Sequence, residues 1–250
     1  MAVTRRIICS LLFAFMLAAS TEVSAQQLEW RVRLGYSIGG TAPVGLPATI
    51  RSLDNYSLQA NFLLGIDAWT QIGGAWGAEA GVYVRNTGME TDTRVKNYHM
   101  AMVSGGERLE GMFTGQVVTL CDQTSLTIPI QVTFDLNSRW RLRLGPQLSY
   151  VLWQKFEGEA YGGYLRVGDP TGNKVEIGSD SATRGSYDFA DDLRRWQIAI
   201  DLGADWFLTD RWGAYAELSW GLGGVFKSSF ETIEQTLYPI YGVIGCLYKL

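Results

Sequence analysis

From position 76 the even residues read Trp76, Ala78, Ala80, Val82 and Val84, and the odd ones Gly77, Glu79, Gly81, Tyr83 and Arg85. A two-residue period of this kind belongs to a β-strand with one apolar and one polar face. The same even-numbered apolar face returns in 30–38, 58–68, 126–136, 140–144, 196–206, 212–220 and 238–250, so the pattern predicts eight strands. The facing positions hold formal charges: Arg31, Arg33, Arg85, Arg141 and Arg143 against Asp67, Glu79, Asp135, Asp201, Asp205 and Glu217. A soluble barrel or sandwich, lipocalin-like for example, would turn the apolar face inward. A barrel in a bilayer does the reverse, and periodicity alone does not choose between them.

Three features favour the bilayer. Aromatic residues stand at strand ends on the apolar face: Trp76, Trp140, Trp206 and Trp212 beside short turns, Tyr36, Tyr150 and Trp220 towards the other end, and Tyr248 in the last strand. Such positions suit the two aromatic girdles of a membrane barrel. Connection lengths also alternate. Gly73-Gly74-Ala75, Asn137-Ser138-Arg139 and Thr209-Asp210-Arg211 are short, while 39–56, 86–124, 154–194 and 225–236 are long and polar. The sequence ends as a strand, with Gly245, Tyr248 and Leu250 in a glycine-x-x-hydrophobic-x-hydrophobic arrangement that resembles the terminal recognition signal of outer-membrane barrels, although Val243 stands where that signal has a polar residue.

The expected fold is therefore all-β: an eight-stranded antiparallel up-and-down transmembrane β-barrel with short periplasmic turns, long outer loops and both termini periplasmic. An inward Asp precedes each short turn (Asp67, Asp135, Asp205) and a Trp follows it (Trp76, Trp140, Trp212). This is a repeat of hairpins, not of solenoid units. Pro129 and Pro146 fall inside predicted strands, where each removes a ladder donor, so a bulge or an unpaired site is expected at both.

Arg5-Arg6, an apolar stretch over 7–19 and Val23-Ser24-Ala25 read as a signal peptide cut after Ala25, the apolar run being short for an uncleaved anchor. The domain division is then 1–25 signal peptide and 26–250 barrel. Removing Arg5, Arg6 and Glu22 from 21 basic and 25 acidic side chains leaves 19 and 24, net −5. Nucleic-acid binding loses its electrostatic basis. Cys121 and Cys246 remain, and the strand assignment puts them at opposite ends of the barrel as free thiols.

The outer segments are distinctive: Gly39-Gly40-Thr41-Ala42-Pro43 with Ile50-Arg51-Ser52-Leu53, then 86–100, 108–115, 163–178, 184–196 and 232–242. With these segments the chain resembles the PorT-like family of outer-membrane β-barrel proteins over essentially its whole length after residue 25. The resemblance implies a small eight-stranded barrel in the outer membrane of a Gram-negative envelope. It further implies a role as accessory to protein secretion, and it brings no catalytic motif.

An eight-stranded barrel is just wide enough to be filled by its own side chains. The five Arg and six acidic residues therefore predict a packed ion-pair network, densest around Arg141 and Arg143, and a narrow diffusion channel is the weaker reading. A lipid-modifying enzyme, deacylase or acyltransferase, would need a base beside a serine. The one histidine, His99, lies in an outer connection with Ser104 and Asp92 nearby in sequence, and no His-x-Ser pair falls on a strand, so a non-enzymatic protein is expected.

No cofactor or metal is expected either. Asp169, Asn173 and Glu176 match calcium-loop spacing only loosely, and 169–173 reads better as a β-turn joining 164–167 to 174–177. Asp188, Asp191 and Asp192 would meet the cations that bridge lipopolysaccharide or pair with Arg194 and Arg195. The outer loops carry Tyr98, Met100, Phe113, Tyr161, Tyr164 and Tyr187, with Met112 and Phe189 beside them. These are candidate outer-rim contacts for another envelope or secretion protein, or packing that closes the barrel mouth. Expected surroundings are outer-membrane lipid and lipopolysaccharide.

Overall fold

The computed structural model describes residues 28–250 except 46, 60, 231 and 234; the signal-peptide segment and Ala60 lie outside the described residues. Eleven strands form: β1 (Glu29–Pro43), β2 (Ile50–Leu58), β3 (Phe62–Gly73), β4 (Trp76–Ser104), β5 (Glu107–Asp135), β6 (Trp140–Val167), β7 (Lys174–Ile177), β8 (Gly185–Asp188), β9 (Trp196–Phe207), β10 (Trp212–Gly221) and β11 (Leu237–Lys249). Eight of them close a ring of antiparallel neighbours, β1-β3-β4-β5-β6-β9-β10-β11 and back to β1. The seam pairs the first and last strands of the ring, β1 and β11, from Arg31↔Lys249 to Pro43↔Leu237. Among the described residues no helix is long and apolar enough to cross a membrane, and the crossing is made by strands.

Side-chain direction gives the ring its polarity. Leu34, Leu64, Val82, Ile130, Leu144, Leu202 and Ile244 are exposed on the outside, while Arg31, Arg33, Asp67, Glu79 and Asp205 are buried within. This reversal of the soluble pattern is stable only with hydrocarbon around the wall. Of the nine tryptophans, only Trp69 points inward. Trp196 and Trp206 bound β9. Ten residue steps of ~3.3 Å at a tilt of ~45° separate them by about 23 Å along the barrel axis, close to the ~25 Å apolar band of such barrels.

The turns at the short-turn end are locally encoded. Asn137 Oδ1 accepts from the N–H groups of Arg139 and Trp140 at 2.8 and 3.0 Å, and Thr209 Oγ1 does the same for Arg211 and Trp212 at 3.3 and 2.9 Å. Each side chain imitates a backbone acceptor and so closes its turn.

The opposite end departs from the expected loops. The segment 86–124 is a continuation of β4 and β5, which run 29 residues each and join through Gly105 and Gly106, both at positive φ (59° and 84°). Two consecutive residues at positive φ make the tight hairpin turn that matches strand twist, and glycine adopts it without strain. β6 runs 28 residues, and its end pairs with β7 through Leu165↔Val175. The expected connection 39–56 shrinks as well: β1 reaches Pro43 and β2 begins at Ile50. β2 and β3 lie end to end along one edge of β4, interrupted where Asn61 Oδ1 accepts from Gly88 N–H and Asn61 Nδ2 donates to the Ser37 carbonyl.

The ends of β4, β5 and β6 thus stand well beyond the ring. β8 bridges them, pairing with β6 over Glu157↔Asp188 to Ala160↔Gly185 and with β4 at Val103↔Ser186. The extension folds around an apolar core of its own. Neither proline produces a bulge. Pro129 pairs with Gln147 but has no partner on β4, and Pro146 pairs with Ile200 but has none on β5; the register resumes unchanged on both sides. Along the long strands the bulges sit instead beside Asn97, whose φ is 52°, at Gly115 and at Leu152, opposite the Thr124–Ser125 step, with further register shifts in the pairings of β2 and β3 with β4.

Candidate functional site

Inside the wall, interior side chains change character along the axis. On β4 they pass from Glu79 through Arg85 and Thr87 to Met89, and on β6 from Arg143 through Gln147 and Ser149 to Val151. The layers are charged, then neutral and polar, then apolar.

The charged layer centres on Arg33. Its Nε donates to Asp67 Oδ2 at 2.7 Å, its Nη1 and Nη2 form a fork on Asp205 at 2.8 and 3.0 Å, and Nη2 also reaches Glu79 Oε1 at 3.0 Å. Arg31 donates to Asp67 Oδ1 at 2.7 Å and to Glu79 Oε2. Arg143 completes the cluster through Asp205 Oδ1 at 2.9 Å and Glu217 Oε2 at 2.8 Å, with Arg85 holding the other Glu217 oxygen at 3.3 Å. Forked guanidinium–carboxylate pairs offset the desolvation of these charges. Asp201 has no arginine in contact and accepts from Gln131 Nε2 at 3.3 Å.

The densest part is therefore around Arg31 and Arg33, not Arg141. Arg141 stands apart at the short-turn end, bonded to the part-exposed Asp135 at 2.5 Å, with its guanidinium carbon 3.8 Å from the Trp69 ring centroid. Arg141 lies in register between Asp135 on β5 and Asp205 on β9 and turns to Asp135, while Arg31 faces Asp67 across β1 and β3 and bonds it. Two glycines make room within the layer. A Cβ on Gly65 would fall inside the Tyr83 ring, and one on Gly203 would lie 2.7 Å from Arg143 Nη2.

Beyond the neutral layer the interior is closed. Phe156, Tyr187, Phe189, Phe226 and Phe230 stack on one another with centroids 4.4 to 6.4 Å apart. The segment after β10 is tied down: Leu193 bridges Phe226, and Arg194 Nε donates to the Phe226 carbonyl at 2.6 Å. Met100, Phe113 and Tyr187 are buried in this cap, so they are not outer-rim contacts. The reason is the fold-back of β8, which turns those faces inward. Burial pushes the Tyr187 phenol well up, and it accepts or donates with Thr119 at 2.7 Å. Tyr98 packs against the same core, Tyr161 donates to Asp92 at 3.1 Å, and Tyr164 lies under Lys174 at 4.5 Å.

His99 is on β4, half-buried, with Nδ1 3.0 Å from the Thr232 carbonyl and Nε2 3.9 Å from Glu110. Ser104 is five steps along the same strand, about 17 Å away at ~3.3 Å per residue, and Asp92 is farther still in the other direction. No proton relay joins them. Arg194 and Arg195 donate to backbone carbonyls and do not pair with Asp188, Asp191 or Asp192. Cys121 is buried in the extension and Cys246 is exposed on the wall, both free.

The aromatic belts are Trp76, Trp140, Trp206, Trp212 and Tyr248 at the short-turn end and Tyr36, Tyr150 and Trp220 at the other. Trp30, Trp153 and Trp196 belong to them too. The even-position pattern already contained Trp30 and Trp196, whereas Trp153 is displaced from it by the bulge at Leu152.

Residues 24–227, well over half of the chain, match the family described as outer membrane protein beta-barrel domain. The chain belongs to that family. No curated protein matches it. Similar solved structures include Ail, the attachment invasion locus protein of Yersinia pestis, with a TM-score of 0.39 and 12% identity over 90% of this chain and 99% of that one. OprG of Pseudomonas aeruginosa is similar at a TM-score of 0.41 and 15% identity, over 90% and 97% of the two chains. As an outer membrane protein beta-barrel domain, the molecule resides in the outer membrane, with its apolar belt in lipid.

Proposed function

We propose that this protein is a non-enzymatic outer-membrane barrel that presents its rigid extension as a binding or assembly surface for another envelope or secretion protein. In this reading a signal peptide directs export, the short turns and both termini are periplasmic, and the extension stands outside the cell among lipopolysaccharide. The observation that carries it is the length of β4, β5 and β6: 28 or 29 residues each, where ~9–11 suffice to cross a bilayer. A chain that only had to sit in the membrane gains nothing from an extra sheet with its own core. The separation of His99 from Ser104 argues against hydrolysis, and the PorT-like resemblance favours an accessory role in protein secretion.

The contact surface in this reading is the outside of the extension, including Arg94, Lys96, Val103 and Arg108, and not the buried aromatic cap. Photo-crosslinking residues placed at 96, 103 and 108 in the native outer membrane test it. A single envelope protein recovered from all three sites is the expected result. Recovery of lipopolysaccharide alone would overturn the assembly role and make a lipid-acting assay of His99→Ala the next experiment.

A further inference from the structure

Between the charged layer and the apolar cap lies a neutral polar layer that neither of them uses. It surrounds a cavity of about 30 Å³, lined by Arg85, Gln123, Gln147, Ser149 and Ser219 among others. A space of ~10–15 Å³ on this measure suffices for one water molecule.

Three of the lining side chains, only 4 to 5% exposed, each keep one polar atom without a partner: Arg85 Nε, Gln123 Nε2 and Gln147 Oε1. Their other ends are committed. Arg85 Nη2 donates to Glu217 at 3.3 Å, Gln123 Oε1 accepts from Gln197 Nε2 at 3.2 Å, and Gln147 Nε2 donates to Ser219 Oγ at 2.5 Å. Buried polar groups in native proteins are paired, with ordered water where protein supplies nothing. Among the lining side chains, two donors and one acceptor remain.

We infer that this cavity is a binding site for one or two resident water molecules, held by Arg85, Gln123 and Gln147. Water fits because it accepts from the guanidinium and the Gln123 amide while donating to Gln147 Oε1. An anion would meet that oxygen and the neighbouring Glu217 carboxylate. A cation would meet the Arg85 guanidinium. The site therefore selects a small neutral molecule that is both donor and acceptor, and it accounts for the amide and hydroxyl side chains at a depth where the strands could have carried leucine.

The test uses crystals of the intact barrel grown with bromide replacing chloride, diffracting well enough to place solvent. The expected result is a solvent peak within hydrogen-bond distance of Arg85 Nε and at least one of the two glutamine amides, with no anomalous signal. An anomalous bromide peak would overturn the inference in favour of an anion site, with the Gln147 amide reversed. Empty density, or Arg85 Nε turned onto Glu217, would overturn it as well. In solution, side-chain amide protons of Gln123 should show magnetisation transfer from water in the native protein, and Gln147→Leu should reduce that transfer severalfold. If the variant does not fold, the native crystals decide alone.

Discussion

Arg33 touches three carboxylates from three different strands, and its removal would leave Asp67, Glu79 and Asp205 buried with too little positive charge. Uncompensated buried charge is among the costliest single defects, about 3–5 kcal/mol. Arg33→Met should therefore lower the unfolding free energy of the barrel refolded in lipid vesicles, read from urea titration, by that amount. Arg108→Ala, whose side chain is 71% exposed, should stay within about 0.5 kcal/mol. Equal effects would mean that the network is not the keystone its geometry makes it. The two thiols should separate equally cleanly. Burial pushes Cys121, which lies beyond the second aromatic belt, up to about 12, whereas Cys246 is exposed on the lipid-facing wall. A lipid-soluble maleimide should label Cys246 in the folded protein and Cys121 only after unfolding; labelling of Cys121 in folded protein would show that the cap opens.

The hairpin of β4 and β5 is the element in which paired strands and a floppy loop make opposite predictions. Arg94, Lys96 and Arg108 lie in or beside paired stretches, so trypsin added to whole cells should spare them and cut first in the irregular 178–184 segment. Cleavage first at 94–108 would mean that the hairpin is not formed. The ring strands were legible in sequence because hydrocarbon outside and charge inside impose an unbroken two-residue period from Trp76 to Val84 or from Trp196 to Trp206. The extension was not, because its apolar face turns from the outside of the wall to the inside, and the bulges near Asn97 and Leu152 carry the buried positions from odd (Val95, Val151) to even (Met100, Phe156), so the period dissolves into apparent loop. One local signal was present. Gly105-Gly106 between Ser104 and Glu107 is a two-residue hairpin turn in its own right. The charge network was legible as a set of residues but not in its arrangement, since pairing Arg33 with Asp205 depends on β1 and β9 facing each other across the interior. The burial of Met100, Phe113 and Tyr187 depended on β8 folding back, and four residues of strand leave almost no periodic trace.

The molecule as a whole is a filled cylinder: guanidinium–carboxylate pairs at one level, amides and hydroxyls at the next, stacked aromatic rings at the top. Such an interior should pass no ions. In planar bilayers the protein should give no resolvable conductance across the salt range in which porins conduct, and steady single-channel steps would contradict the closed cap. The seam between β1 and β11 has a separate consequence. The Leu250 N–H donates to the Trp30 carbonyl at 2.9 Å, so the two ends of the described chain lie side by side. A cylinder whose ends meet has no preferred starting strand, and its connectivity can be cut and rejoined without touching the wall. A circular permutant joined from Leu250 to Glu29 through a short linker, and opened between Gly73 and Gly74, should refold to the same barrel, with the same far-ultraviolet circular dichroism and the same urea midpoint. The order in which the strands are made is then a property of synthesis, while the finished wall remembers only which strand stands beside which.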